Sequence, residues 1–196
     1  MSQVNVDSLR HSSGSGSGID LQSTGNIAVD SNTLYVDSVN GRIGINANIP
    51  NATLDINGTD GININTAPIT EKYNNVSGSA NSNTNVDVLL SNIHFYTSAS
   101  TGNWTPNFRG NGSTTLNSLM STNQVCLVTL ISTNGGSSGY FDSLNIDGSS
   151  RTVEWLSGAA PTGRGGTDGY DVYQISIIKT GNNAFLVFGN QTYCSN

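Results

Sequence analysis

Asn32–Asn65 reads NTLYVDSVNGRIGINANIPNATLDINGTDGININ. Its apolar residues fall in pairs two apart: Leu34/Val36, Ile43/Ile45, Leu54/Ile56 and Ile62/Ile64. Turn-forming residues separate the pairs, at Asn40-Gly41, Pro50-Asn51, Asn57-Gly58 and Asp60-Gly61. A period of two, broken by such turns, specifies short β-strands that each direct two side chains to one side. The pattern extends upstream through Ile19/Leu21 and Ile27/Val29, with Thr24-Gly25 between the last two pairs. A two-residue turn at Asn40-Gly41 predicts Val39 opposite Arg42, Val36 opposite Ile45 and Leu34 opposite Ala47.

These twelve side chains are few for the length of chain they must order. The transfer energy of a dozen aliphatic groups falls short of the backbone entropy lost over nearly fifty residues. The segment is therefore not expected to fold alone. Three chains about a common axis would bury the apolar pairs and cover the strand edges together. Residues 19–73 are accordingly read as an intertwined trimeric β stalk, a homotrimer whose core is Ile19, Leu21, Ile27, Val29, Leu34, Val36, Ile43, Ile45, Leu54, Ile56, Ile62 and Ile64. The competing reading is one sheet of a monomeric β-domain.

Upstream, residues 1–18 read MSQVNVDSLRHSSGSGSG. The Ser/Gly tract is a flexible linker. Residues 1–10 are either a tail or an attachment peptide that adds a strand to another protein's sheet through Val4, Val6, Leu9 and Arg10. Downstream, the Asn/Ser-rich stretch 74–85 reads as a linker, and 86–196 as a head domain. Strands are expected near 86–90, 93–97, 125–132, 141–146, 152–155, 171–179 and 184–189. Val125–Ile131 is nearly continuously apolar, which predicts a central strand covered on both faces. Leu116, Leu119 and Met120 suit one helical turn capped by Thr114. Short strands at this density suggest an antiparallel β-sandwich or jelly roll, so the whole chain is expected to be all-β.

Composition narrows the function. The chain has 196 residues, and charged residues make up 10% of them, against about 25% in an ordinary soluble domain. Its formal net charge is −6 and its basic residues, Arg10, Arg42, Lys72, Arg109, Arg151, Arg164 and Lys179, are scattered. No basic stripe exists to displace counterions, so a nucleic-acid partner is not expected. No apolar run reaches the length of a membrane span, so no membrane insertion is expected. The N-terminus lacks the basic and apolar regions of a signal peptide, which suggests synthesis in the cytoplasm without export. Cys126 lies in an apolar run and reads as a small core residue, and its pairing with Cys194 stays open.

No motif for catalysis, metal or cofactor binding emerges. His94, in a strand, reads as a locally hydrogen-bonded residue. Asp142, Asp147, Glu154, Asp168 and Asp171 contain the material for a glycosidase pair, and Asp142, Asp168 and Asp171 for a calcium site. An aspartate beside glycine is first a turn residue, however, and no catalytic residue is assigned. Trp104 and Trp155 read as core anchors. Tyr140, Phe141 and Tyr170 flank Gly-rich loops that also carry Arg164 and Asp168, a composition suited to meeting a sugar or protein surface.

The stalk sequence resembles the repeat of tailed-phage fibres. There a Leu-x-Val-Asp strand, an Asn-Gly turn and an Arg-(Ile/Val)-Gly-Ile strand precede an Ala-x-Leu-Asp-(Ile/Val)-Asn-Gly segment. The opening Val4–Arg10, followed by Ser-Ser-Gly and Ile19-Asp20, is similar to the start of virion proteins of marine and cyanobacterial phages. The stretch from Trp104-Thr-Pro-Asn-Phe-Arg-Gly to Ile177-Ile-Lys-Thr180 resembles a domain of their structural proteins. The resemblance implies a virion location, trimeric assembly, an N-terminal attachment end bound to tail, baseplate or capsid proteins, and a distal head meeting a host-cell glycan or protein. A capsid decoration protein or head fibre and a glycan-cleaving tailspike are the alternatives it leaves open.

Overall fold

The computed structural model describes residues 8–9, 18–29, 33–57, 62, 69–135 and 139–195. The chain is all-β and divides into two units, Met1–Pro68 and Ile69–Asn196.

The first unit is one six-stranded sheet in sequential order: β1 (Ser8–Leu9), β2 (Ile19–Leu21), β3 (Ile27–Val29), β4 (Leu34–Asp37), β5 (Arg42–Ile45) and β6 (Leu54–Ile56). Neighbours run antiparallel except β5 and β6, which are parallel. The turn between β4 and β5 corrects the expected register. Asp37 lies opposite Arg42, Val36 opposite Ile43 and Leu34 opposite Ile45. Asp37 Oδ1 accepts the N–H groups of Val39 (3.1 Å) and Asn40 (3.0 Å), and its Oδ2 accepts from Asn40 Nδ2 at 2.7 Å. An aspartate that satisfies the turn's donors itself opens a four-residue loop in place of the tight one. Those bonds also hold the Asp37 carboxyl below the usual carboxylate range. Because the shift is two residues, every side chain keeps its face. The glycine of Arg42-Ile43-Gly44-Ile45 is required by space, since a Cβ there would stand 1.9 Å from the Ala47 carbonyl oxygen.

The second unit departs from an antiparallel sandwich. Its strands are β7 (Asn74–Val76), β8 (Asn85–Asp87), β9 (Ile93–Tyr96), β10 (Asn107–Arg109), β11 (Val125–Thr133), β12 (Leu144–Ile146), β13 (Ser149–Arg151), β14 (Glu154–Trp155), β15 (Tyr170–Gly181) and β16 (Ala184–Cys194). One sheet has the order β14-β16-β15-β11-β9-β7 and the other β13-β12-β10-β8. The chain from β7 to β12 alternates between them, so successive strands of each sheet run the same way. The pairs β7/β9, β9/β11, β8/β10 and β10/β12 are all parallel. This is a winding of three coils, and matched positions stack along it. Val86, Phe108 and Ile146 are in register and fully buried. Asn85, Asn107 and Asn145 are in register beside them, with Asn107 Nδ2 donating to Asn85 Oδ1 at 3.0 Å. Arg109 Nε donates to Asp87 Oδ1 at 2.5 Å across the next rung. Antiparallel hairpins finish the winding: β13 folds back on β12 through Asp147-Gly148, both at positive φ (52° and 77°), and β15–β16 lies along β11.

Residues 74–85, expected to be a linker, belong to this unit. They hold β7, a 3-10 turn at Ala80–Ser82 with Ala80 fully buried, and the start of β8. The helical turn α1 (Leu116–Leu119) is capped by Thr115, one residue after the expected cap. Asp147 Oδ1 and Oδ2 accept the N–H groups of Leu116 (2.7 Å) and Asn117 (2.9 Å), and Lys179 Nζ donates to the carbonyls of Asn117 and Met120. Both ends of the turn are thereby satisfied. The two sheets enclose one core, in which Trp104, Phe141, Tyr173 and Tyr96 meet as an aromatic cluster.

Candidate functional site

The register of the first unit decides where its apolar side chains point. Directly opposed residues share a face. One row therefore runs Ile19, Val29, Leu34, Ile45, Ile56, and the next runs Leu21, Ile27, Val36, Ile43, Leu54. Ten of the twelve residues read as stalk core thus form two adjacent rows on one side of one sheet. The opposite side carries Asp20, Ala28, Tyr35, Gly44 and Asp55. Among the described residues of the unit none closes over the apolar rows: Leu21 is 43% exposed, Ile43 42% and Leu54 55%. Ile62 is exposed outside any strand, and Ile64 lies outside the described residues. A contiguous apolar face of this breadth is what a soluble monomer avoids.

The second unit has a similar surface. The strand β11 is central, as expected, but only one of its faces is covered. Val128 and Leu130 are buried while Val125 and Leu127 are exposed. Leu127 stands beside Ser176 and, one strand further, Phe188; Val125 stands beside Ile178 and Leu186. Cys126 points to the core and is half-buried, which raises its thiol pKa; both cysteines are free.

Of the attachment residues, Val4, Val6 and Arg10 lie outside the described residues. The backbone of Leu9 is opposite Ile19, so strand β1 is added to this chain's own sheet. The surface-loop set is dispersed. Phe141 is a correction: it is fully buried, its ring 4.1 Å from that of Tyr173 and 4.8 Å from that of Trp104. The chain turns inward there to fill the space between the sheets. Tyr140 is half-buried, and Tyr170 is in a strand with its ring against Phe95. Arg164 and Asp168 share the loop between β14 and β15, where Asp168 accepts from the Tyr193 hydroxyl at 2.5 Å. That bond raises the Tyr193 pKa.

The carboxylates separate by role. Asp147 caps α1, and Asp171 is fully buried, accepting from Gly165 N (2.9 Å) and Gln191 Nε2 (3.0 Å). Asp142 and Glu154 instead line one crevice with Arg151 and Trp155. No cluster of metal-ligating side chains occurs among the described residues. Sequence reasoning did not single out Arg151, because the β12–β13 hairpin that sets it opposite Leu144, near Asp142, was not read from the sequence.

His94 is buried and bonded on both nitrogens. Nε2 donates to the Ser91 carbonyl (2.8 Å), and Nδ1 accepts from Asn74 Nδ2 (3.1 Å), an assignment made from the partners' chemistry. Burial lowers its pKa, with smaller opposing contributions from Ser91 and Asp87. The folded state holds the ring neutral, while the unfolded chain protonates it near pH ~6.5. Its contribution to stability is complete above that pH and declines as the pH falls toward the lowered folded value. Denaturation midpoints are expected to fall between about pH 7 and pH 5, and His94→Gln should flatten that slope.

No protein-family model, no curated protein and no solved structure matches the chain.

Proposed function

We propose that the chain is a non-enzymatic structural protein of a phage particle: a short homotrimeric fibre, attached through its N-terminal segment, whose second unit faces outward toward the host surface. The observation that carries this reading is the one-sided sheet of the first unit. Two rows of Ile, Leu and Val lie on one face, six of the ten exposed, and among the described residues no element of that unit packs on them. Self-association buries such a face, and a three-fold arrangement closes three of them about one axis without leaving any open. The exposed apolar patch of β11, β15 and β16 favours contact between copies in the same way. The virion location rests on the resemblance of the stalk repeat to tailed-phage fibres.

Sedimentation equilibrium of the purified chain tests the assembly. The expected mass is three times the 20.5 kDa of one chain. A folded species at the mass of one chain would refute the proposal.

A further inference from the structure

The chain crosses from one sheet of the second unit to the other between β13 and β14. At that open edge lies a crevice of about 440 Å³, lined by Asp142, Arg151, Glu154 and Trp155. Trp155 also walls an adjoining hollow of about 410 Å³ that holds Asn190 and Gln191. Each volume is in the range of small-ligand sites, about 300–1,000 Å³. Trp155 lines both, and the six-membered-ring edge of its indole lies over Gly189.

The two carboxylates of the crevice have no structural employment. Arg151 Nε is buried and has no hydrogen-bond partner. Its guanidinium is placed by stacking 5.4 Å over the Phe185 ring. Asp142 and Glu154 are exposed and have neither hydrogen-bond nor ion-pair partner among the described residues. Elsewhere in the same unit Asp87, Asp147, Asp168 and Asp171 are each tied to a donor.

The complement of this set is a neutral carbohydrate. Sugar hydroxyls donate to carboxylates and accept from a guanidinium, and the C–H face of a pyranose suits an indole wall. Two carboxylates against one guanidinium leave the crevice negative, which disfavours phosphates and acidic sugars. We infer that the crevice beside Trp155 binds a neutral oligosaccharide, with one ring against the indole and the next in the adjoining hollow. This rests on the host-attachment reading and gives it a place on the molecule.

The test is tryptophan fluorescence of the full chain, titrated with maltotriose, cellotriose and chitotriose, and with trilysine as a cationic comparator. Trp104 is buried in the core, so a ligand-dependent change reports Trp155. A saturable change with at least one saccharide is expected. Trp155→Phe should remove the signal, and the Asp142→Asn/Glu154→Gln double variant should weaken binding at least tenfold with an unaltered thermal melt. No response to any of the saccharides, a response to trilysine alone, or full binding by the double variant would overturn the inference. Sedimentation of the same sample reads the assembly separately, so a trimer that ignores every saccharide refutes this site and leaves the fibre standing.

Discussion

Replacing Val36 with aspartate is expected to dissociate the proposed trimer into monomers. Val36 is at the middle of its row, between Ile27 and Ile43. In an isolated chain the substitution is milder, because Val36 is only half-buried there. In a trimer closed on this face, three carboxylates are drawn from water toward one axis with no cation to meet them. An uncompensated buried charge costs about 3–5 kcal/mol, and here the penalty recurs in every copy. The dissociation constant should therefore rise by about a thousandfold or more, read by sedimentation or native mass spectrometry. Asp20→Asn, on the opposite face, should leave the mass unchanged. A Val36→Asp chain that sediments like the parent would show that the apolar rows are not the contact.

The second large effect is expected at Phe141. Truncation to alanine should destabilise the second unit by about 3–5 kcal/mol. The ring is fully buried and lies 4.1 Å from Tyr173, 4.8 Å from Trp104 and 5.9 Å from Trp155, centroid to centroid. Its removal leaves a cavity between two sheets and deletes edge and tilted ring contacts worth about 0.5–1.5 kcal/mol apiece. Neighbours as large as Trp104 and Tyr173 cannot collapse into that space without leaving their own contacts. Urea denaturation followed by tryptophan emission measures the change. A shift below about 0.5 kcal/mol would fit a residue on an exposed loop and contradict the packing.

The comparison of these two residues shows what a sequence discloses. Val36 belongs to an alternating pattern, and alternation reports a strand and a face directly. That is why ten stalk residues fall in two rows although the turn register differs by two. The register itself was hidden because it depends on what the Asp37 side chain accepts, a matter of geometry that composition does not carry. Phe141 follows a Gly/Ser-rich stretch that resembles a surface loop, and only the path between the sheets turns it inward. The winding of the second unit was illegible for a related reason. Alternation looks the same in parallel and antiparallel strands, and from β7 to β12 each strand pairs not with the next in sequence but with the one after. The crevice at Arg151 depends on that path too, since β13 and β14 belong to different sheets.

The order of strands in the larger sheet also bears on how the unit is made. From β16 through β15, β11 and β9 to β7, neighbours in space run backward through the sequence. The β15–β16 hairpin is the most local pairing in that sheet and the longest, so loop closure opposes it least. Hairpins form in about 1–10 μs, whereas parallel partners separated by a whole coil wait on larger closures. The hairpin is thus the natural template: β11 zips onto β15, then β9 onto β11, and β7 last. Assembly of this unit would proceed against the direction of the chain, with its earliest strand the last to be secured and the first to fray.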